Sequence, residues 1–119
     1  MMRRRISEED SCLKRRLIDY ILTNFKSQDL SIQSVAEGTD IPRGEISTLL
    51  KEETGQGFVQ YVSYLRLNEF KRMLEQSDLT IRVLVLYVGY NDVPNFLRKF
   101  KFLEGMTPGQ YRQLHRKQP

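Results

Sequence analysis

Part of this chain is written twice. Asp29-Leu30-Ser31-Ile32 recurs as Asp78-Leu79-Thr80-Ile81, displaced by 49 positions. Ile46, Leu50, Lys51 and Gly55 recur as Phe96, Phe100, Lys101 and Gly105, displaced by 50. A repeat of this length means one supersecondary unit built twice, each copy burying its own apolar face. The change of displacement places a one-residue insertion in the second copy's internal turn.

Local chemistry says what the unit is. In the first copy Ser31 is a good N-cap, because its hydroxyl can accept a bond from an orphan amide of the first turn. The helix it opens is short, since Gly38, Asp40 and Pro42 follow closely. Pro42 suits the first turn of the next helix, where a missing N–H costs nothing. That helix turns Ile46, Leu49 and Leu50 inward and ends near Gly55, a C-terminal glycine. Short helix, tight turn, second helix is the helix-turn-helix outline. In the second copy Thr80 replaces Ser31, residues 81–88 form the short helix and Gly89 supplies the positive φ of the turn. Asn91 or Asp92 caps the helix that follows, to about Leu103.

The flanking segments are helical too. Leu13, Leu17, Ile18, Ile21, Leu22 and Phe25 form one stripe of a helix over about residues 9–26, with Ser7 and Asp10 as its capping pair. Residues 57–76 carry no proline and no glycine after Gly57, yet their stripe changes face. Phe58, Tyr61, Val62 and Leu65 lie roughly 140° around the axis from Leu67, Phe70, Met73 and Leu74. One helix with two stripes serves two bodies. Thr107-Pro108 opens a last helix that is expected to turn Tyr111 and Leu114 inward and Arg112, Arg116 and Lys117 outward. The fold expected is all-α with about seven helices: two homeodomain-like helix-turn-helix subdomains joined by a long central helix. Its divisions are a tail (1–10), a first subdomain (11–56), a linker helix (57–76) and a second subdomain with a C-terminal helix (77–119).

Charge is distributed unevenly. Residues 1–60 hold nine Lys/Arg against ten Asp/Glu, and residues 61–119 hold ten against five. A polyanionic partner would be gripped by the second half. No apolar run approaches the ~20 residues that cross a bilayer, so no membrane partner is expected. The basic start, Met1-Met2-Arg3-Arg4-Arg5, runs into Ser7-Glu8-Glu9-Asp10 without the apolar region of a secretory signal. A single cysteine, Cys12, suits a reducing cytoplasm. A lone His115, no Cys/His cluster and no glycine-rich phosphate loop argue against an enzyme. No catalytic residue, metal ligand or cofactor is expected.

The second half carries a resemblance. Gly89-Tyr90-Asn91-Asp92 with Phe96-Leu97-Arg98-Lys99-Phe100-Lys101 is similar to the Gly-Phe-x-x…Phe-x-x-x-Phe-Lys signature of the arabinose-regulator (AraC/XylS) family of bacterial transcription factors. Gly105-Met106-Thr107-Pro108-Gly109-Gln110-Tyr111-Arg112 resembles that family's Gly-x-Thr-Pro-x-x-Phe/Tyr-Arg ending. Lys51-Glu52-Glu53-Thr54-Gly55 and the stretch from Tyr61 to Arg66 match in the first half, so the resemblance spans roughly residues 11–115. There are departures: Val85 stands where the family usually has Ala, Asp40 where a turn glycine is common, and Pro42 and Pro94 where serines open the recognition helices. Thr48 stands where a long polar side chain is frequent, and Gly44 offers no side chain to a base.

The resemblance implies sequence-specific binding of double-stranded DNA by a transcription regulator, with recognition helices over about residues 43–54 and 92–103 in successive major grooves. Arg98 is the candidate to bridge a guanine's O6 and N7, and Asn95 to read an adenine or bond a phosphate. Lys99 and Lys101 suit phosphates, which fix register. Arg43, Ser47, Thr48 and Lys51 form the corresponding, auxiliary set in the first unit. Twenty residues of linker helix span about 30 Å, close to the ~34 Å between successive major-groove faces. RNA polymerase is a candidate partner under this resemblance. Family members commonly carry a sensing, dimerising or phosphorylation-receiver domain outside such a segment, so the chain is either a small regulator or a fragment. The alternative is a helix-turn-helix-derived protein-interaction module with weak or lost DNA reading.

Overall fold

The computed structural model describes residues 8–116, and among them every regular element is a helix. The order is α1 (Glu8–Asn24), α2 (Ile32–Thr39), α3 (Arg43–Thr54), α4 (Phe58–Gln76), α5 (Ile81–Tyr87), α6 (Val93–Glu104) and α7 (Pro108–His115). The chain divides into two compact units, one of residues 1–25 and 29–63, the other of residues 26–28 and 64–119.

In the first unit α1, α2 and α3 pack on one another around Leu17, Ile21, Val35, Ile46, Leu49 and Leu50, all buried. The short α2 depends on its ends. Ser31 Oγ accepts from the Ser34 amide at 3.0 Å while Ser34 Oγ accepts from the Ser31 amide at 2.9 Å, a reciprocal cap that satisfies two donors. At the other end Asp40 takes the left-handed conformation, φ 59°, at the turn between α2 and α3. Aspartate tolerates that region better than most residues. Buried Thr39 is satisfied within the turn, its hydroxyl donating to Val35 O at 2.7 Å and accepting from the Ile41 amide at 3.3 Å. Pro42 occupies the N-cap position of α3, extended and with no side-chain acceptor, and its carbonyl accepts from the Glu45 and Ile46 amides instead.

The second unit repeats the plan with an aromatic core. Phe70, Leu74, Leu84, Val85, Val88, Val93, Phe96 and Phe100 form one cluster. The ring of Phe70 meets Phe96 edge-on at 4.7 Å and Phe100 at 5.4 Å, and Phe100 meets Tyr111 at 5.7 Å. Val85 is 0% exposed and absorbed in this cluster. The two stripes of α4 divide accordingly: Tyr61 and Val62 are buried in the first unit, Phe70 and Leu74 in the second.

Three expectations are corrected. Helix α1 stops at Asn24, whose side-chain amide turns back to Tyr20 O at 2.8 Å, and Leu22 is left exposed. Lys26 leaves the helix for the second unit, where its ammonium donates to the Tyr87 hydroxyl at 2.9 Å and lies 4.0 Å from Glu69. In α7 Tyr111 packs inward as expected, but Leu114 is 67% exposed, and Arg112 turns inward to donate from Nε to Leu74 O at 2.9 Å. The free carbonyls at the end of α4 attract that guanidinium. Ser7, in the expected capping pair of α1, lies outside the described residues, as does Lys117.

Candidate nucleic-acid interface

Helix α6 is set up from both ends. Asp92 Oδ1 accepts from the Asn95 amide at 3.1 Å, Pro94 fills the first turn, and Gly105 closes the helix at φ 75°. The turn before it is shaped by Gly89, φ 113°, whose amide donates to Leu86 O at 3.1 Å, while the Tyr90 amide donates to Val85 O at 3.2 Å. A β-carbon at Gly89 would lie 2.8 Å from Arg66 Nε. That guanidinium passes beneath the turn, donating to Ser27 O at 2.8 Å and lying 5.1 Å from the Tyr90 ring centre. Burial pulls the Arg66 pKa below its ordinary value, against the opposing pull of Tyr90.

With Val93, Phe96 and Phe100 buried, the opposite side of α6 faces outward. At about 100° per residue, Asn95, Arg98 and Phe102 fall within roughly 60° of one another at its centre. Lys99 and Lys101 stand on opposite flanks of that face. Asn95 is half-buried, and Arg98, Lys99 and Lys101 are exposed. No hydrogen bond or ion pair engages the side chains of Arg98, Lys99 or Lys101 among the described residues, whereas Glu104 is held by Lys71 at 2.8 Å. The face therefore carries three uncommitted cations and no free carboxylate.

The equivalent face of α3 is different. Gly44, Thr48 and Lys51 occupy its centre, with Arg43 and Ser47 on one side and Glu45 and Glu52 on the other. All of these positions are on the exposed side of the helix. The Thr48 hydroxyl donates back to Gly44 O at 3.3 Å, which commits its proton to the helix. Glu52 approaches buried Lys14 at 3.3 Å. Helix α3 holds two cations against three carboxylates, and α6 three against one. By whole unit, the first carries eight Lys/Arg against ten Asp/Glu and the second eleven against five.

The residues singled out from the sequence thus fall on the outward faces of two separate helices, each the second helix of a helix-turn-helix. Sequence reasoning passed over Phe102 and Leu103, which are 87% and 64% exposed. The signal was available: position 102 follows Asn95 by seven, two helical turns, and lies off the buried stripe.

This arrangement has known counterparts. A helix-turn-helix domain family matches residues 35–114. The chain belongs to it, as a DNA-binding domain of the AraC type. It is 34% identical over 100 residues to the uncharacterized HTH-type transcriptional regulator YtdP of Bacillus subtilis, a match covering 84% of this chain and 13% of that protein. The chain thus spans about an eighth of that relative's length. Among solved structures it is similar to the C-terminal domain of AraT, a response regulator from Geobacillus stearothermophilus. The TM-score there is 0.82 at 29% identity, over 97% of this chain and 92% of the other. The DNA-binding domain of AdpA, determined in complex with a target DNA, shares the fold with a TM-score of 0.75 at 18% identity, over 85% and 90% of the two chains. The family and fold are those of transcription regulators, not of enzymes.

Proposed function

We propose that this domain binds double-stranded DNA sequence-specifically as part of a bacterial transcription regulator, with α6 as its principal reader. The observation that carries the reading is the outward face of α6, where Asn95 and Arg98 stand centrally between two flanking lysines, without partners for the cations among the described residues. A major groove presents base edges to the centre of such a face and phosphates to its margins. Arg98 then bridges a guanine's O6 and N7, Asn95 reads an adenine or bonds a phosphate, and Lys99 and Lys101 hold the two backbones. The DNA-bound state of AdpA, which shares the fold, supports the same use of the unit here.

Arg43, Ser47, Thr48 and Lys51 make α3 an auxiliary contact, with Arg43 and Lys51 gripping phosphates and the short hydroxyls reading little. The carboxylates of α3 favour a second reading for the first unit alone: a protein-interaction surface with weak DNA reading. RNA polymerase and a sensing or receiver domain carried outside these residues are the protein partners of this reading, in keeping with AraT being a response regulator. The place of action is the cytoplasm, where duplex DNA is met. No described helix is long and apolar enough to cross a membrane.

Fluorescence anisotropy against a selected site, repeated across salt concentrations, tests the phosphate roles. Each phosphate contact contributes about 0.9 to the slope of log affinity against log salt. Lys99→Ala and Lys101→Ala should each lower that slope by about 1 while weakening all sequences alike. Unchanged slopes in both variants would remove α6 from the interface.

A further inference from the structure

The outward face of α6 presents an apolar side chain that phosphate and hydrogen-bond contacts leave unused. Phe102 is 87% exposed and lines one shallow hollow with Asn95, Arg98, Lys99 and Leu103. Four residues separate Phe102 from Arg98, about 6 Å along the helix axis at 1.5 Å per residue. That is close to two base steps of ~3.4 Å along one strand. The apolar group that base edges show in the major groove is the C5-methyl of thymine, which aromatic and small apolar side chains contact. The surroundings favour DNA over a protein segment as the occupant of this hollow. Arg98 and Lys99 line the hollow with the ring, and no carboxylate neutralises their charge among the described residues, so an apolar peptide would have to desolvate it.

We propose that Phe102 is a specificity residue that packs against a thymine methyl about two base pairs from the guanine bridged by Arg98. The proposal rests on α6 being the recognition helix, and it adds a second, apolar element to the sequence the domain selects. Hydrogen-bond donors alone would leave that thymine position degenerate. With Phe102 it becomes a preference for a methylated pyrimidine edge.

The test removes the methyl instead of the base. A site selected from random duplexes is rebuilt with each thymine replaced singly by deoxyuridine, and its affinity for wild type, Phe102→Ala, Phe102→Leu and Arg98→Ala is measured by anisotropy. One deoxyuridine substitution should weaken wild type about 3–5-fold, the worth of one buried methyl. The same substitution should change Phe102→Ala binding less than about twofold and Phe102→Leu binding by an intermediate factor. The proposal is overturned if no thymine position separates wild type from Phe102→Ala. That includes the case in which Phe102→Ala binds every duplex unchanged, as it would if the ring served a protein partner. Failure of the recognition-helix reading shows separately, as an Arg98→Ala variant that keeps the full sequence preference.

Discussion

Replacing Gly89 by alanine tests how the second unit aims α6. Two costs arise from different features. The backbone at φ 113° lies where an L side chain is strained, worth about 1–3 kcal/mol. The new methyl would also lie 2.8 Å from Arg66 Nε, so the guanidinium must withdraw. Withdrawal gives up the bond from Arg66 to Ser27 O, about 1 kcal/mol, and the contact with the Tyr90 ring, about 0.5–1 kcal/mol. In the wild-type background Gly89→Ala should therefore destabilise the second unit by about 2.5–5 kcal/mol. With Arg66→Ala already present, about 1–3 kcal/mol should remain. Urea unfolding by far-UV circular dichroism, with amide resonances of the second unit as a local probe, reads all four corners of the cycle. Equal costs in both backgrounds would refute the steric part, and a cost below about 1 kcal/mol in the wild type would refute the whole argument.

The same physics gives shorter tests. Phe100→Ala, which removes a ring packed against Phe70 and Tyr111, should cost about 3–5 kcal/mol in urea titration, while Leu114→Ala should stay within about 0.5 kcal/mol. Gly38→Ala should destabilise the first unit because its β-carbon would run into the Tyr20 ring; a Tyr20→Ala background should recover most of the loss. Glu69 accepts two bonds from Arg72 at 2.8 Å, and that pairing holds its carboxyl below the ordinary range against partial burial. A carboxylate with a lowered folded-state pKa stabilises above its unfolded value, and the contribution fades as pH falls through the folded one. Glu69→Gln should therefore flatten the acid limb of the stability profile below about pH 5 and leave its neutral-to-basic shape unchanged.

Much of the fold is legible in the residues because the signals are local. Ser31, Thr80 and Thr107 cap helices as their hydroxyls suggest, Gly55, Gly89 and Gly105 take positive φ, and the shifted stripe of α4 reports two bodies. Where reading fails, the cause is a partner distant in sequence. Tyr111 and Leu114 stand about 60° apart on one side of short α7, yet only Tyr111 packs on the core, because the helix settles with Arg112 on the Leu74 carbonyl, 38 positions away. Lys26 leaves α1 for Tyr87, 61 positions away, which no periodicity encodes. Arg98, Lys99 and Lys101 were legible as a cationic set from their spacing and from the family signature. Phe102 was legible by the same spacing, seven positions after Asn95 and off the buried stripe, but an aromatic beside a cationic set is easily passed over until its exposure is seen.

The sharpest examination of α6 as the reading element is a comparison of binding motifs. Wild type and Arg98→Ala are each used to select from fully randomised duplexes, and the enriched sequences are aligned. A motif that loses its preference at one guanine, with the other positions intact, is the outcome expected. Two indistinguishable motifs would mean that base selection resides elsewhere in the chain.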